Sequence, residues 1–262
     1  KYIPYLVNQL ESARNQGEKA AAILALGNLG HESALQILMP YIEGRDQVTP
    51  FEQRMAIYSL HNFDEDRRHE VMKVYSSLVF NPSEERNTRI AALSMMLNLE
   101  PSTVFFQKLA TSTWFEKDTE FHKFVYATLK SLSEIEESQQ PNAHTPLYRN
   151  SHKARQVISM AKAVPTGFSY SLNHFGAEWL KNLEVGYHVH YAHTVSQRLQ
   201  HFYGKIEYFL QQLKFTPIEF CSYMTGMDIS KEISKVFSSE EKKSNQEWEE
   251  IISKLSLKSQ VK

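Results

Sequence analysis

Residues 22–29 read AILALGNL, and residues 56–63, which lie 34 positions further on, read AIYSLHNF. The same apolar frame returns as RIAALSMML and again as FVYATLKSL. One apolar anchor recurs in the four segments, at Leu26, Leu60, Met95 and Leu129. These anchors are 34, 35 and 34 residues apart, a period typical of repeats that stack one pair of helices on the next.

Helix-capping residues divide each repeat into two helices. Gly17 and Gly30 bracket a segment rich in Ala and Leu, the strongest helix formers, and Gly30 lies where a helix end favours a residue without Cβ. Thr49, Pro50 and Glu52 form the pattern of a capping box with proline at the first helical position. These signals predict one helix that ends near Gly30 and another that begins at Pro50.

The later repeats carry similar signals. Ser83, Glu84 and Glu85 predict a first helical turn whose acidic residues favour the helix dipole. Partner helices are expected over 33–43, 67–79 and 102–112. An apolar face at helical spacing follows at Phe121, Phe124, Val125, Leu129 and Leu132. Because no single pair can bury such a stripe, we predict a mainly α fold, with an α-solenoid over about 1–138 and a small α+β segment after it.

The pattern changes after the repeats. The polar run QQPNAHTP at 139–146 holds two prolines and predicts a linker, and one more helix is expected over 153–163. Residues 195–213 fit either an amphipathic helix or a strand, whereas 214–226 predict a strand. The end of the chain is helical again, with a helix expected at 229–237 and a short apolar face at Trp248, Ile251, Ile252 and Leu255.

The composition excludes several classes of protein. The 262 residues hold 29 Lys and Arg against 30 Asp and Glu, and this net charge of −1 argues against a nucleic-acid partner. Mean hydropathy is −0.45, and no apolar run approaches the ~20 residues of a membrane-spanning helix. Cys221 is the single cysteine, so no internal disulfide forms. The chain begins at Lys1 without a signal segment, and we expect it to be a piece of a longer protein.

Motifs that would indicate an enzyme are missing from the sequence, which has no Gly-rich phosphate loop, HExxH, CxxC or GxSxG. We therefore expect no catalytic residues. His188, His190 and His193 are the weak candidates for a metal site. On a strand the first two share a face, and on a helix the last two do, but either pair supplies two ligands where a structural zinc site has four. We expect these histidines to face solvent or a partner rather than a metal.

Aromatic residues are dense in the second half of the chain. The set comprises Tyr187, Tyr191, Phe202, Tyr203, Tyr208, Phe209, Phe215 and Phe220. Two explanations stay open at this point, namely ordinary burial within the chain and a surface that packs on lipid or on further sequence.

Several stretches resemble the helical domain of the vitellogenins, in the large lipid transfer protein family, and look most like those of insects. They are YIPYLVNQLESARNQGEKAAAILALGNLGH, RNTRIAALSMMLNLEPSTVFFQKLATSTWFEKDTEFHKFVYATLKSLSE and the SYS at 169–171. The segments NLGH at 28–31 and STWF at 112–115 are not general features of solenoid sequences. The resemblance covers 1–170 well and 171–237 weakly, and apolipophorins and clotting proteins are relatives within the same family.

This resemblance implies a right-handed superhelix of helix pairs that wraps a lipid cavity built from β-sheets. It divides the chain into a helical domain at 1–166 and, at 167–262, the start of the lipid-cavity sheet with a C-terminal helix. It favours strands over helix for about 201–212 and 216–226. The residues then expected to face lipid are Phe202, Ile206, Tyr208, Ile218 and Phe220.

The function that the resemblance implies is lipid transport and yolk storage by a secreted lipoprotein of the haemolymph and then of the oocyte yolk. Bound phospholipid and neutral lipid are expected in the full-length protein. The expected partners are lipids, the remaining domains of the same chain, an oocyte receptor that binds regions outside this piece, and a second copy in a homodimer.

The alternative interpretation is a solenoid scaffold that binds a protein segment and does not contact lipid. A peptide groove needs charged positions that repeat with the helical period. Arg54 and Arg89 are in register, but Lys19 lies one place off. The sequence therefore favours the lipid interpretation and keeps the scaffold as its alternative.

Overall fold

The computed structural model describes residues 2–45, 47–60, 65–135, 146–164, 169–175, 183–192, 201–210 and 213–222. Its helices are α1 Tyr2–Ser12, α2 Gln16–Asn28, α3 Glu32–Ile42, α4 Pro50–Ser59, α5 Glu65–Phe80, α6 Arg86–Asn98, α7 Thr103–Ser112, α8 Thr119–Ser133 and α9 Pro146–Val157. A 3₁₀ turn at Ile158–Met160 and strands β1 Ser169–Phe175, β2 Leu183–Ala192, β3 His201–Leu210 and β4 Leu213–Ser222 follow. The described part of the chain is therefore mainly helical.

The even-numbered helices form the centre of the helical part. Along the series α2, α4, α6 and α8, each helix contacts the next, and α1, α3, α5, α7 and α9 pack against this series. The four anchors of the 34-residue frame lie in the core, since Leu26, Leu60, Met95 and Leu129 are each at most 1% exposed. The apolar face predicted for α8 is confirmed, because its five residues are all buried.

Two of the predicted caps are confirmed. Gly30 has a φ of +61°, the left-handed conformation that favours glycine. At the start of α4 the Thr49 hydroxyl accepts a hydrogen bond from the Glu52 N–H (3.3 Å), and the Glu52 carboxylate accepts one from the Thr49 N–H (3.0 Å). These bonds satisfy donors that a helix start otherwise leaves without partners.

The prediction for the start of α6 was wrong. This helix begins at Arg86, so Glu84 and Glu85 precede its first turn. Their carboxylates instead accept hydrogen bonds from α4, from Gln53 (3.1 Å) and Arg54 (2.6 Å) respectively. Contacts between helices thus outweigh the local preference for acids in a first turn. The structure also begins α9 at Pro146 rather than near 153 and adds α1, for which no boundaries were predicted.

The four strands form one antiparallel sheet in chain order. Residues 201–210, for which helix and strand were both open, form β3. A register shift lies between β3 and β4, where Ile206 pairs with Ile218 and Tyr208 pairs with Phe215. The extra residue on β4 falls at Thr216 and Pro217, and proline suits a bulge because it has no N–H to donate to the ladder.

Contacts connect the sheet with the helices, since α8 contacts β1 and α6 contacts β3. The C-terminal helix predicted at 229–237 and the apolar face at 248–255 lie outside the described residues.

Candidate functional site

The register of the sheet separates apolar from polar positions. Directly paired residues in an antiparallel sheet lie on the same face, and alternate residues of one strand do too. We call the apolar face the set of positions that includes Leu183, Val185, Tyr187, Val189 and Tyr191 on β2, Phe202, Ile206, Tyr208 and Leu210 on β3, and Leu213, Phe215, Ile218 and Phe220 on β4. All five residues that the sequence proposed as lipid-facing have positions on this face.

The opposite face of the sheet carries the polar positions. His188 pairs with Lys205, and Lys205 pairs in turn with Glu219. His190 pairs with Tyr203, which pairs with Cys221. Two of the dense aromatics, Tyr203 and Phe209, are therefore on the polar face rather than the apolar one.

Two of the three weak metal candidates lie within the described residues. His188 and His190 occupy one face of β2, His193 lies outside the described residues, and a lysine is directly opposite His188. Within the described ranges, no group of three or more His, Cys, Asp or Glu residues is placed to hold a metal ion.

Ion pairs connect successive even-numbered helices. Lys19 of α2 pairs with Glu52 of α4 (2.9 Å), and Arg54 of α4 pairs with Glu85, which precedes α6 (2.6 Å). The side chains of Glu52 and Arg54 are each only 5% exposed. A charge that is this deeply buried needs a partner of opposite sign, so these pairs fix how the helices meet.

Two arginines of α6 bind acidic residues that precede α8. The Arg89 guanidinium donates to the Glu116 carboxylate (2.5 Å) and to the Val79 carbonyl (3.1 Å), and it lies 3.8 Å from the centre of the Phe121 ring. Arg86 donates to Asp118, the N-cap of α8, at 2.7 Å. Both arginines thus join the first turn of α6 to the approach to α8.

The pKa values of Glu116 and Asp118 are both lowered. Burial alone would raise the pKa of Glu116, but the hydrogen bonds from Arg89 and from the Asp118 N–H outweigh it and lower the pKa overall. Burial likewise opposes the hydrogen bonds that Asp118 accepts from Arg86 and the Phe121 N–H, and the pKa of Asp118 is also lowered. Both carboxylates are therefore charged at neutral pH and contribute to the folded state.

The burial of Arg54 and Arg89 weakens the interpretation of the helices as a scaffold with a peptide groove. The sequence placed Arg54 and Arg89 in register as candidate groove residues, but both side chains are about 5% exposed and hold acids of the next repeat. Sequence reasoning missed their partners. The signal was present, since an acidic residue precedes each of the helices α6 and α8.

The helix α9 closes the helical part before the chain enters the sheet. Asn150 donates to the Leu97 carbonyl at the end of α6 (2.6 Å), and Lys153 donates to the Pro101 carbonyl (2.7 Å). Burial lowers the pKa of Lys153, although nearby Glu100 opposes this. Ala154 and Val157 are buried in the common core. The segment that leads to β1 is thereby anchored on α6 and α7.

Taken together, the described residues define a mainly helical domain whose helix pairs pack in series and lead into an antiparallel sheet with one apolar face. None of the helices in the described part of the chain is long and apolar enough to cross a membrane.

The family model for the vitellogenin TPR domain matches residues 1–130. The chain is 27% identical over 203 residues to vitellogenin-A1 of Aedes aegypti, covering 75% of this chain and 9% of that protein. It is 27% identical over 194 residues to the hemolymph clottable protein of Penaeus monodon, covering 73% and 11% of the two chains. These matches support a vitellogenin-type helical domain in the helical part of the chain.

A solved structure described as showing lipid–protein interactions in lipovitellin has the same fold. It matches 84% of this chain and 23% of its own length with a TM-score of 0.69 and 18% sequence identity. The chain thus spans about a tenth of the curated relatives it matches.

Proposed function

We propose that this chain is the supporting helical domain and the beginning of the lipid-holding sheet of a lipid-transport and yolk-storage protein. The observation that carries the proposal is the apolar face, on which thirteen positions of β2, β3 and β4 named above are aliphatic or aromatic. A surface of this kind gains ~25 cal/mol for each Å² of apolar area removed from water, and lipid tails supply such cover. No bond is made or broken, so the function is not enzymatic.

The proposed architecture is a right-handed superhelix of 34-residue helix pairs over residues 1–166, with the sheet and a C-terminal helix at 167–262. The serial contacts of the even-numbered helices, the buried anchors and the fold shared with lipovitellin support it. In this arrangement α6 and α8 hold the sheet through β3 and β1. The helices support the cavity, and the apolar face, with Phe202, Ile206, Tyr208, Ile218 and Phe220, lines it.

The full-length protein then carries phospholipid and neutral lipid and is secreted, first into haemolymph and later into oocyte yolk. The remaining domains of the same chain complete the cavity, and an oocyte receptor and a second copy bind elsewhere. The names of the relatives, vitellogenins and a hemolymph clottable protein, support this role. We expect no metal to take part in it.

The experiment measures the lipid retained by the unchanged chain and by two variants, Ile218→Glu and Glu219→Lys, after each purified chain is exposed to a phospholipid emulsion. The retained lipid is extracted and quantified by mass spectrometry. Ile218→Glu places a charge on the apolar face, and Glu219→Lys changes the charge on the opposite face of the same strand. We expect the first variant to lose most of the lipid that the unchanged chain retains and the second to keep it. Equal retention by all three chains would contradict a lipid-holding face.

A truncated chain of residues 1–164 tests which part holds the lipid. It keeps α9 and its bonds to Leu97 and Pro101 but lacks the sheet. We expect it to stay folded and retain little lipid, because the helices serve as support. Retention equal to that of the whole chain would move the lipid site to the helices.

A further inference from the structure

The backbone between α9 and β1 is bonded to side chains from the turn after α7 and from the beginning of α8. The carbonyl oxygen of Met160 accepts a hydrogen bond from the indole N–H of Trp114 (2.9 Å). The N–H of Lys162 donates to the Thr113 hydroxyl (2.8 Å), and the carbonyl oxygen of Lys162 bonds with Nε2 of His122 (2.9 Å). We call these three side chains, together with residues 160–162, the clasp.

The two clasp side chains that bind Lys162 are buried, with Thr113 at 2% and His122 at 5% exposed. A carbonyl oxygen only accepts hydrogen bonds, so Nε2 of His122 carries the hydrogen and donates it. The Thr113 hydroxyl donates its own hydrogen to the Ala110 carbonyl (2.6 Å), which leaves its oxygen to accept from Lys162. Loss of either side chain takes this partner from a backbone group of Lys162, and such losses are costly.

The chain that leads into the clasp is also attached to the opposite end of α8. Arg155 of α9 donates to the carbonyl oxygens of Ser133 (3.3 Å) and Ile135 (2.6 Å), where α8 ends. The last carbonyls of a helix have no partner within the helix, so a guanidinium group is well suited to them. Residues 155–162, which we call the strap, therefore run along α8 from its end back to its beginning.

The helix that the strap holds is also the one that contacts the first strand of the sheet. α8 contacts β1, and β1 begins at Ser169, seven residues after Lys162. Among the described strands, β1 lies at an edge of the sheet and pairs with β2. Because pairing holds an edge strand from one side, its position depends strongly on the element that packs against it. The strap and β1 thus share α8 as their support.

We propose that the strap, closed by the clasp, is a conformational coupling device that fixes β1 on α8 and so sets where the sheet lies on the helices. When the clasp opens, residues 160–164 and β1 are released first, while α2 and α4 stay folded. This coupling goes beyond the proposed function and holds for the chain without lipid. One consequence rests on the proposed function, namely that a chain with an open clasp retains less lipid.

Amide hydrogen exchange of the whole lipid-free chain, followed by mass spectrometry of its peptides, tests the coupling. Thr113→Val keeps the shape of the side chain and removes its hydroxyl. We expect exchange in residues 160–164 and in β1 to become about tenfold faster, as for one lost hydrogen bond, with exchange in α2 and α4 unchanged. The matched control is Thr111→Val, because the Thr111 hydroxyl bonds to carbonyls within α7. It should leave exchange in β1 unchanged.

A second pair of variants tests the bond from the imidazole. His122→Leu should accelerate the same exchange about tenfold, whereas His122→Gln, whose amide N–H reaches the same carbonyl, should restore most of the protection. Trp114 gives a separate signal when Trp179→Phe and Trp248→Phe leave it as the remaining one of three tryptophans. Because the indole leaves the Met160 carbonyl when the clasp opens, its emission should shift to longer wavelength in Thr113→Val.

A purely structural role of the clasp residues would accelerate exchange in all helices alike, and that result would overturn the proposal. So would unchanged exchange of β1 in both Thr113→Val and His122→Leu, or an equal acceleration by Thr111→Val. If these variants fail to fold, Trp114→Phe provides the same test, since Trp114 is 59% exposed and the change keeps an aromatic ring. Ile218→Glu should lower the lipid retained by the sheet without changing exchange in residues 160–164, so failure of the coupling and failure of the proposed function give different results.

Discussion

At the scale of single residues, Gly27 determines how closely α2 approaches α4. A Cβ added at Gly27 would lie 2.3 Å from both the Cβ and the carbonyl oxygen of Ser59. The carbonyl oxygen belongs to the helix backbone, so the clash cannot be relieved by a change of rotamer. The sequence showed only a glycine within an Ala- and Leu-rich helix, because the partner residue lies 32 positions away in another helix.

Gly27→Ala should therefore destabilise the chain by about 2 kcal/mol, despite the better helix propensity of alanine. Urea unfolding followed by circular dichroism measures the change. Gly17→Ala is the matched control within the same helix, because its added Cβ would meet only the Asn15 side chain, at 3.3 Å. A destabilisation at Gly17 as large as that at Gly27 would show that the helix crossing is not the cause.

Also at the residue scale, Glu116 and Asp118 should make the free energy of unfolding fall as the pH decreases through the acid range. Their pKa values lie below the ordinary 4.5 and 3.8 in the folded chain, so the folded state binds fewer protons than the unfolded state as the pH falls. The stability that they contribute is complete above the ordinary pKa values and is lost as the pH drops through the lowered ones.

Glu116→Gln should lower the free energy of unfolding by about 1–2 kcal/mol at pH 7 and flatten its decline below about pH 4.5. Urea unfolding at a series of pH values measures both effects. The matched control is Glu134→Gln, since the Glu134 carboxylate is 64% exposed and 3.8 Å from Lys130. If Glu116→Gln keeps the full acid dependence of the unchanged chain, the pair with Arg89 is not its source.

At the scale of elements, local sequence signals predicted helices well where the ends are capped locally. The end of α2 depends on Gly30 and the start of α4 on the Thr49 capping box, and each signal is contained in a few consecutive residues. The start of α6 was misplaced because Glu84 and Glu85 accept hydrogen bonds from Gln53 and Arg54 of another helix. For β3, alternation and helical spacing coexist in the same residues, so pairing with β2 and β4 selects the strand.

The buried ion pairs should matter more to the packing of elements than the surface pairs do. Arg89→Leu removes the donor that joins α6 to Glu116 and to the Val79 carbonyl, and it leaves a carboxylate that is 9% exposed without this partner. We expect a loss of about 3 kcal/mol in the free energy of unfolding. Lys130→Leu, in a surface pair within α8, should cost less than about 0.5 kcal/mol. Similar losses for both variants would argue against the ion pairs as the link between α6 and α8.

At the scale of the whole molecule, the period of the sequence locates the repeats, but the period alone does not show where the helical part ends. The polar run at 139–146 predicted a linker, yet α9 already begins at Pro146 and packs on α6, α7 and α8. Only the fold brings Asn150 to the Leu97 carbonyl, 53 residues earlier in the chain. The apolar face likewise depends on pairing among β2, β3 and β4, which local patterns do not specify.

The structural limit of the helical unit should therefore lie after α9 rather than at the linker. A chain of residues 1–164 keeps Ala154 and Val157, which are at most 1% exposed, and the hydrogen bond from Trp114 to the Met160 carbonyl. A chain that stops at 135 loses these contacts and uncovers apolar residues of α6 and α8. Because buried aliphatic area and the Asn150 bond are lost together, we expect the shorter chain to melt at least about 5 °C lower. Thermal unfolding followed by circular dichroism compares the two chains, and equal melting temperatures would place the end of the helical unit before α9.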